Sequence, residues 1–279
     1  MKINTYMISL TRAAGRQERM RDTLEAAGIP CALVEAIDLQ ETSEEELLQN
    51  CKSFGPWGVF APGNMACTLS HAKVWETFLA SDAEVALVLE DDVFLSPELK
   101  HWLDDLSWWP KGSELVNLEF WRSNSLRVML GKTVAQVRNR DIAPMYSRNP
   151  GSAGYMVTRA GAKRLLAAMP YDVTIDQLLF NPLVSSLARD LRPHQIAPAL
   201  IKQGNTPPEE DTFLGHATRK PTGALYKKQK RLRGMAELRA LPLQLLRLVT
   251  GRARPVRVLY ADRTLTDDHA AQAASATTA

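Results

Sequence analysis

Three consecutive carboxylates, Glu90, Asp91 and Asp92, follow directly on five apolar residues, Val85 to Leu89. Adjacent like charges repel unless something positive binds them. A hard cation such as Mg²⁺ or Mn²⁺ prefers oxygen ligands of this kind and would screen an anionic substrate brought alongside. The same triplet also reads as a solvated acidic turn capping the next helix, and both readings stand on these residues alone. Arg12, Arg16, Arg19 and Arg21 crowd the turn after the first apolar segment. Guanidinium groups there could hold phosphates, while Arg19 and Arg21 equally read as solvated helix charges. Asp38, at the tip of a second apolar segment, could hydrogen-bond a base or ribose, or cap its own turn. Ser70 and His71 are expected in the first turn of a helix, where free N–H groups attract anions; a plain structural role fits His71 as well. Asp172 and Asp176 precede another helix, as caps or as a catalytic carboxylate.

The elements that must position these groups follow from patterning. An unbroken apolar run such as Val85–Leu89 fits a strand covered on both faces in an α/β domain. Its carboxylates then sit at the carboxyl edge, where open α/β sheets bind ligands. Ile3 to Leu10 reads as the first strand, Met20, Leu24 and Ala27 as the inner face of a helix stopped by Gly28 and Pro30, and Cys31 to Ile37 as a second strand. The chain thus opens β-α-β. Ser43 and Glu46 make a capping box for a helix through Asn50. The loop Phe54 to Asn64 is too apolar for a solvated connection, so it packs on the body or lines a site. Leu69, Ala72, Trp75, Phe78 and Leu79 recur at helical spacing. Ser96-Pro97 predicts an N-cap and first-turn proline for a helix through Leu106. Residues 114–121 read as one strand carrying Glu119, and 122–150 as an excursion over the sheet. Gly151 to Gly154 is a tight turn before a strand and a helix with Ala162, Leu165 and Leu166 inward; its small residues either admit a sugar or phosphate or simply turn the chain. His194 to Gln203 is expected to be the last strand, closed by a loop of Gly, Asn, Pro and acids.

The 279 residues, 45% hydrophobic and 23% charged, describe a soluble globular protein: one large α/β domain with an appendage, or two small domains. No apolar run approaches the ~18 residues that cross a bilayer, and the N-terminus reads as a strand rather than a signal peptide. Three widely spaced cysteines, Cys31, Cys51 and Cys67, point to a reducing, cytoplasmic compartment and away from structural zinc. The net charge of +3 conceals a division: residues 219–257 carry +11 and the rest −8. The expected organisation is a domain over 1–205, a basic, partly helical extension over 206–260 and a disordered tail over 261–279. The extension's partial apolar stripe, Leu232, Met235, Leu238, Leu245 and Leu246, is broken by Pro242. It suits an anionic membrane surface, placed first, or packing on the domain. Nucleic acid is not expected, because interleaved aromatics and any accompanying motif are lacking.

Taken in order, several segments resemble glycosyltransferase family 25, the lipopolysaccharide and lipooligosaccharide sugar transferases related to collagen galactosyltransferases. They are I-S-L-T-R with Arg16 and Arg19, A-I-D at 36–38, C-T-L-S-H-A-K-V-W at 67–75, L-V-L-E-D-D-V at 87–93, G-S-A-G-Y-M-V-T-R-A-G-A at 151–162, Asp176, and A-L-I-K-Q at 199–203. One departure is Ala66, where the family typically has Gly before the Cys. The resemblance implies a GT-A type, Rossmann-like mixed sheet flanked by helices, a UDP-sugar donor, Mn²⁺ (or Mg²⁺), and inverting transfer of galactose or glucose to a glycan or lipid-linked saccharide. It matches Glu90-Asp91-Asp92 to the D-x-D position, with Asp92 chiefly on the metal and Glu90 on the ribose or the metal. Leu10, Arg12, Arg16, Asp38, Ser70, His71, Glu90, Asp91, Gly154 and Tyr155 become donor-binding candidates, Asp176 the first candidate base and Glu119 the second. The implied location is cytoplasmic, at the inner face of a Gram-negative inner membrane. A catalytically silent sugar-nucleotide binder or assembly component is the alternative.

Overall fold

The computed structural model describes residues 1–121, 126–204 and 221–260. Val85–Leu89 is wholly buried, and its residues alternate between two cores. Val85, Leu87 and Leu89 pack with Met7, Met156 and Trp102 on one side. Ala86 and Val88 pack with Tyr6, Trp75 and Phe78 on the other. That alternation is the period-2 geometry of a strand, and burying each large apolar side chain contributes roughly 1.5–3 kcal/mol.

In chain order the strands are β1 (Ile3–Ser9), β2 (Cys31–Glu35), β3 (Phe54–Gly55), β4 (Gly58–Val59), β5 (Val85–Glu90), β6 (Val93–Leu95), β7 (Leu115–Asn117), β8 (Glu119–Phe120), β9 (Val128–Gly131), β10 (Ala135–Val137), β11 (Arg140–Pro144), β12 (Gly154–Thr158), β13 (His194–Ala197), β14 (Ile201–Gln203) and β15 (Ala253–Val256). Eight of them form one sheet in the order β10-β11-β13-β7-β12-β5-β1-β2. β5 runs parallel to β1, with Ile8 opposite Glu90, and antiparallel to β12, with Leu89 opposite Gly154. The sheet is therefore mixed, and helices cover its two faces. Pro62–Ala80, with Trp75 and Phe78 fully buried, covers one; Ala14–Ala26 and Leu99–Asp104 cover the other. A second sheet, β6-β14-β8, stands at the carboxyl ends of β5, β13 and β7. Each of its strands continues one of those three after a short break.

The predicted opening β-α-β is present, with β1 and β2 parallel. The Ser43 capping box holds Glu44–Asn50 in both directions. Four local readings change. His194–Gln203, expected as a single last strand, is β13 and β14 in different sheets, and β15 follows them. The 114–121 strand is two strands, because the Asn117 side-chain oxygen accepts from the Glu119 N–H and turns the chain at Leu118. Ser96 does not cap a helix: its hydroxyl accepts from the Glu98 N–H in a preceding turn, and the helix spans Leu99–Asp104. Part of the 122–150 excursion is β10 and β11, which extend the main sheet.

Among its described residues the basic extension contains the helix Gly223–Val249, with Pro242 inside it. Its first half packs on the β3–β4 hairpin: Gln229 is buried, and its side-chain oxygen accepts from the Val59 N–H at 2.9 Å. Gly58 has φ +113°, and a Cβ there would stand 2.2 Å from that oxygen, so the hairpin needs glycine beneath the helix. β15 then pairs antiparallel with β9. Residues 205–220 and 261–279, the expected domain edge and disordered tail, lie outside the described residues.

Candidate functional site

Two cavities meet at the seam between the main and small sheets. The smaller, about 140 Å³, lies between the ends of β1 and β5 and the helix Pro62–Ala80; Ile8, Leu10, Ala36, Ile37 and Leu39 make its apolar wall and Arg16, Glu90, Asp91 and Asp92 its charged one. The larger, about 480 Å³, holds Glu90, Glu119, Arg148, Asp172, Asp176 and Arg233 around Trp57. Cys67, Glu90 and Gln203 line both. Glu90 thus stands where a ligand in one cavity would face a ligand in the other.

The three adjacent acids have separate environments. Asp91 is locked inward: the Ser9 hydroxyl donates to it, Arg16 Nε lies 3.4 Å away, and Arg19 donates to its carbonyl at 2.7 Å. Burial nonetheless pushes its carboxyl above the ordinary range. Asp92 accepts from the Gln203 side chain at 3.0 Å, which ties the end of β14 to the acid. Glu90 Oε1 lies 3.5 Å from His71 Nε2, a buried nitrogen without a hydrogen bond among the described residues. Behind it, His71 Nδ1 and the Trp75 indole N–H both meet the Tyr155 hydroxyl at 2.9 Å.

Leu10, Arg16, Ser70, His71, Glu90, Asp91 and Asp92 come together in the smaller cavity. Asp176 and Glu119 come together with Glu90 in the larger. Arg12, Asp38, Gly154 and Tyr155 line neither. Arg12 Nε donates to Asp38 at 2.6 Å, and Asp38 also accepts from the Gln40 N–H, so this pair builds the turn after β2. Gly154 serves packing, since a Cβ there would lie 2.5 Å from Ile201 Cδ1. Tyr155 is wholly buried and supports His71 from behind.

Ser70 and His71 are also not in a first helical turn. Pro62, whose ring fixes φ, starts the helix eight residues before Ser70. The anion-attracting N–H groups are therefore elsewhere, and Ser70 instead donates to the Ala66 carbonyl and accepts from the Ile37 N–H. Ala66 sits inside this helix, where alanine is favourable.

Two carboxyls of the larger cavity, Glu119 and Asp176, hold protons more readily than usual. Glu119 is 1% exposed; burial, then the charge of Glu90, raises its pKa well above the ordinary value against a hydrogen bond from the Ala153 N–H. A Cβ on Gly151 would lie 2.7 Å from its carboxyl carbon, so that glycine makes room for it. Asp176, in the first turn of Ile175–Phe180, is raised by desolvation, although Thr174 and Gln177 donate to its two oxygens. Carboxyls raised in this way suit proton transfer.

Glu90 and Asp92 offer carboxylate oxygens beside a cavity open to substrate, which fits a Mg²⁺- or Mn²⁺-type ion that takes one or two protein carboxylates and completes its shell with phosphate oxygens. Among the described residues, Cys67, His71 and Glu90 are the group of three donors whose atoms lie within 4.8 Å of one another. Cys67, Gln203, Trp57, Arg148 and Arg233 were not candidates from sequence. The apolar composition of Phe54–Asn64 signalled that its loop lines a site, and Gln203 falls in the last matching segment; no local pattern marks Arg148 or Arg233.

A family model described as "Glycosyltransferase family 25 (LPS biosynthesis protein)" matches residues 2–179. The lipooligosaccharide biosynthesis protein lic2B of Haemophilus influenzae is 27% identical over 75% of this chain and 79% of its own length. The lacto-N-neotetraose biosynthesis glycosyltransferase LgtE of Neisseria gonorrhoeae is 24% identical over 72% and 74%. A solved glycosyltransferase involved in glycosylation of the major capsid of PBCV-1 overlays 77% of this chain and all of its own, with 11% identity and a TM-score of 0.37. The family model spans well over half the chain's length, and the chain belongs to glycosyltransferase family 25.

Proposed function

We propose that this glycosyltransferase moves a hexose, galactose or glucose, from a UDP-sugar to a lipooligosaccharide, lipopolysaccharide or other glycan acceptor, with inversion. The observation that carries this reading is the meeting of two cavities at Glu90, one with an apolar wall and Arg16, the other with two proton-holding carboxyls. The smaller takes the nucleotide, its base against Leu10, Ile37 and Leu39. The larger takes the acceptor. Glu90 and Asp92 would hold Mn²⁺ (or Mg²⁺), which when bound supplies Lewis-acid stabilisation of the departing diphosphate. Gln203 fixes the Asp92 carboxylate by its hydrogen bond.

Inversion needs a base opposite the leaving group, separate from the groups that stabilise departure. Asp176 is assigned that role, because it is partly open to the cavity, whereas Glu119 is sealed beneath Gly151 with one oxygen bound to the Ala153 N–H. The acceptor class follows the relatives named for lipooligosaccharide and lacto-N-neotetraose biosynthesis.

No helix is long and apolar enough among the described residues to cross a membrane. Leu238, Leu241, Leu245 and Leu248 instead share one face of the C-terminal helix, 44–68% exposed, and Lys227, Lys230 and Arg231 precede them. That basic and apolar face is assigned to the anionic cytoplasmic surface that carries a lipid-linked acceptor. A screen of UDP-sugars for Mn²⁺-dependent transfer or hydrolysis tests the activity. UDP binding without turnover of any UDP-hexose would replace it with a silent sugar-nucleotide binder.

A further inference from the structure

Arg148 and Arg233 both line the larger cavity, and both guanidinium groups lie against Trp57, 5.3 and 5.1 Å from its ring centroid. They arrive from distant parts of the chain, and Arg233 comes from the helix that Gln229 seats on the β3–β4 hairpin. Arg233 Nε donates to the Trp57 carbonyl at 2.9 Å. Its Nη groups, and the whole Arg148 guanidinium, make no hydrogen bond to the described residues. No carboxylate among those residues lies within the 4.0 Å ion-pair distance of either.

Two like charges held close together and partly out of water, with no carboxylate in direct ion-pair contact among the described residues, repel each other and favour an anion between them. The Arg233 pKa is lowered, by burial first and then by the charge of Arg148. Asp176 attracts both guanidinium groups and Glu237 attracts Arg233, but neither carboxylate stands in ion-pair contact with them among the described residues. A guanidinium held beside an aromatic ring also keeps the planar fork of donors whose paired hydrogen bonds carboxylates and phosphates accept. An anion brought by a ligand would supply the missing partner.

We infer that Arg148 and Arg233 form an oxyanion subsite within the acceptor cavity, and that the acceptor is an acidic saccharide carrying a carboxylate or phosphate ester close to the sugar that is extended. This rests on the assignment of the larger cavity to the acceptor. It gives the basic C-terminal extension a second duty: its helix brings one of the two residues that select the acceptor, in a part of the chain beyond the family match at residues 2–179.

The test uses the full chain with UDP and Mn²⁺ and two matched pairs of small probes. Methyl β-D-glucuronide is compared with methyl β-D-glucoside, and mannose 6-phosphate with mannose, by titration calorimetry and saturation-transfer NMR. The acidic member of at least one pair is expected to bind about tenfold or more tightly than its neutral counterpart; which pair responds tells carboxylate from phosphate ester. Arg148→Gln and Arg233→Gln should each abolish that preference, Arg233→Lys should keep part of it, and UDP affinity should stay within about twofold throughout. Arg148 makes no hydrogen bond within the described fold, so its variant stays informative even where loss of the Arg233–Trp57 contact lowers stability. Equal binding of acidic and neutral probes, or a preference that survives both Gln variants, overturns the subsite. Weakened UDP binding in both variants also overturns it, by moving the pair to the donor diphosphate. Failure of the native chain to bind UDP at all removes the underlying two-cavity reading, and is told apart by that arm alone.

Discussion

Tyr155→Phe removes one oxygen and tests whether the hydrogen-bonded chain behind the site holds it together. That oxygen accepts from the Trp75 indole N–H and meets His71 Nδ1, each at 2.9 Å, and all three side chains are no more than 1% exposed. Phenylalanine keeps the ring packing against Phe180 but leaves two buried polar groups without partners. Each such group costs about 1–3 kcal/mol, so a loss of roughly 2–6 kcal/mol is expected. For a domain of this size a loss of about 3 kcal/mol lowers Tm by roughly 6–12 °C. Urea unfolding followed by tryptophan fluorescence should show the midpoint falling at constant slope. In a Trp75→Phe background the same change should cost less, with a coupling of about 0.5–3 kcal/mol, because one orphaned donor is already gone. Turnover per folded molecule should fall less than about tenfold, since Tyr155 lines neither cavity. A loss below about 0.5 kcal/mol, additive with Trp75→Phe, would refute the claim that this oxygen satisfies both neighbours.

Asp92→Ala and Asp176→Asn should each lower UDP-sugar transfer about 10²-fold or more, and near-normal transfer in either removes that residue from the mechanism. Glu119→Gln should stabilise the chain in metal-free buffer by an amount that grows with pH. The folded-state pKa of Glu119 is raised, so its contribution is intact below the unfolded value of about 4.3 and is lost as pH rises towards the folded value. Denaturation midpoints at pH 4.5 and pH 8 check the sign, and a variant whose advantage shrinks with pH contradicts it. The full chain should sediment with phosphatidylglycerol vesicles more than with neutral ones; Leu241→Glu with Leu245→Glu should weaken that, and equal sedimentation of variant and native chain defeats the membrane assignment.

Patterns that neighbours along the chain enforce were legible directly. Five apolar residues running into three acids dictated a doubly covered strand with charge at its exit. Ser43 and Glu46 dictated a cap, and Gly28 a helix stop at φ +65°. Local rules misplaced the group whose start depended on Pro62: an apolar loop and an apolar helix have no compositional edge between them, so Ser70 and His71 were set too near the helix beginning.

What only the tertiary structure decided is which distant residues share a cavity. Glu119 reaches Glu90 because β7 breaks at Asn117 and restarts in the small sheet, and Gln203 reaches Asp92 because β14 pairs with β6. Arg233 meets Arg148 over Trp57 because one glutamine seats a helix on a hairpin 170 residues earlier in the chain. Periodicity reports which face of an element is buried, whereas partner and register are set by summed packing and hydrogen bonding across the whole sheet. The sequence by itself therefore determined the carboxylate edge and its strand, and the fold decided what that edge confronts.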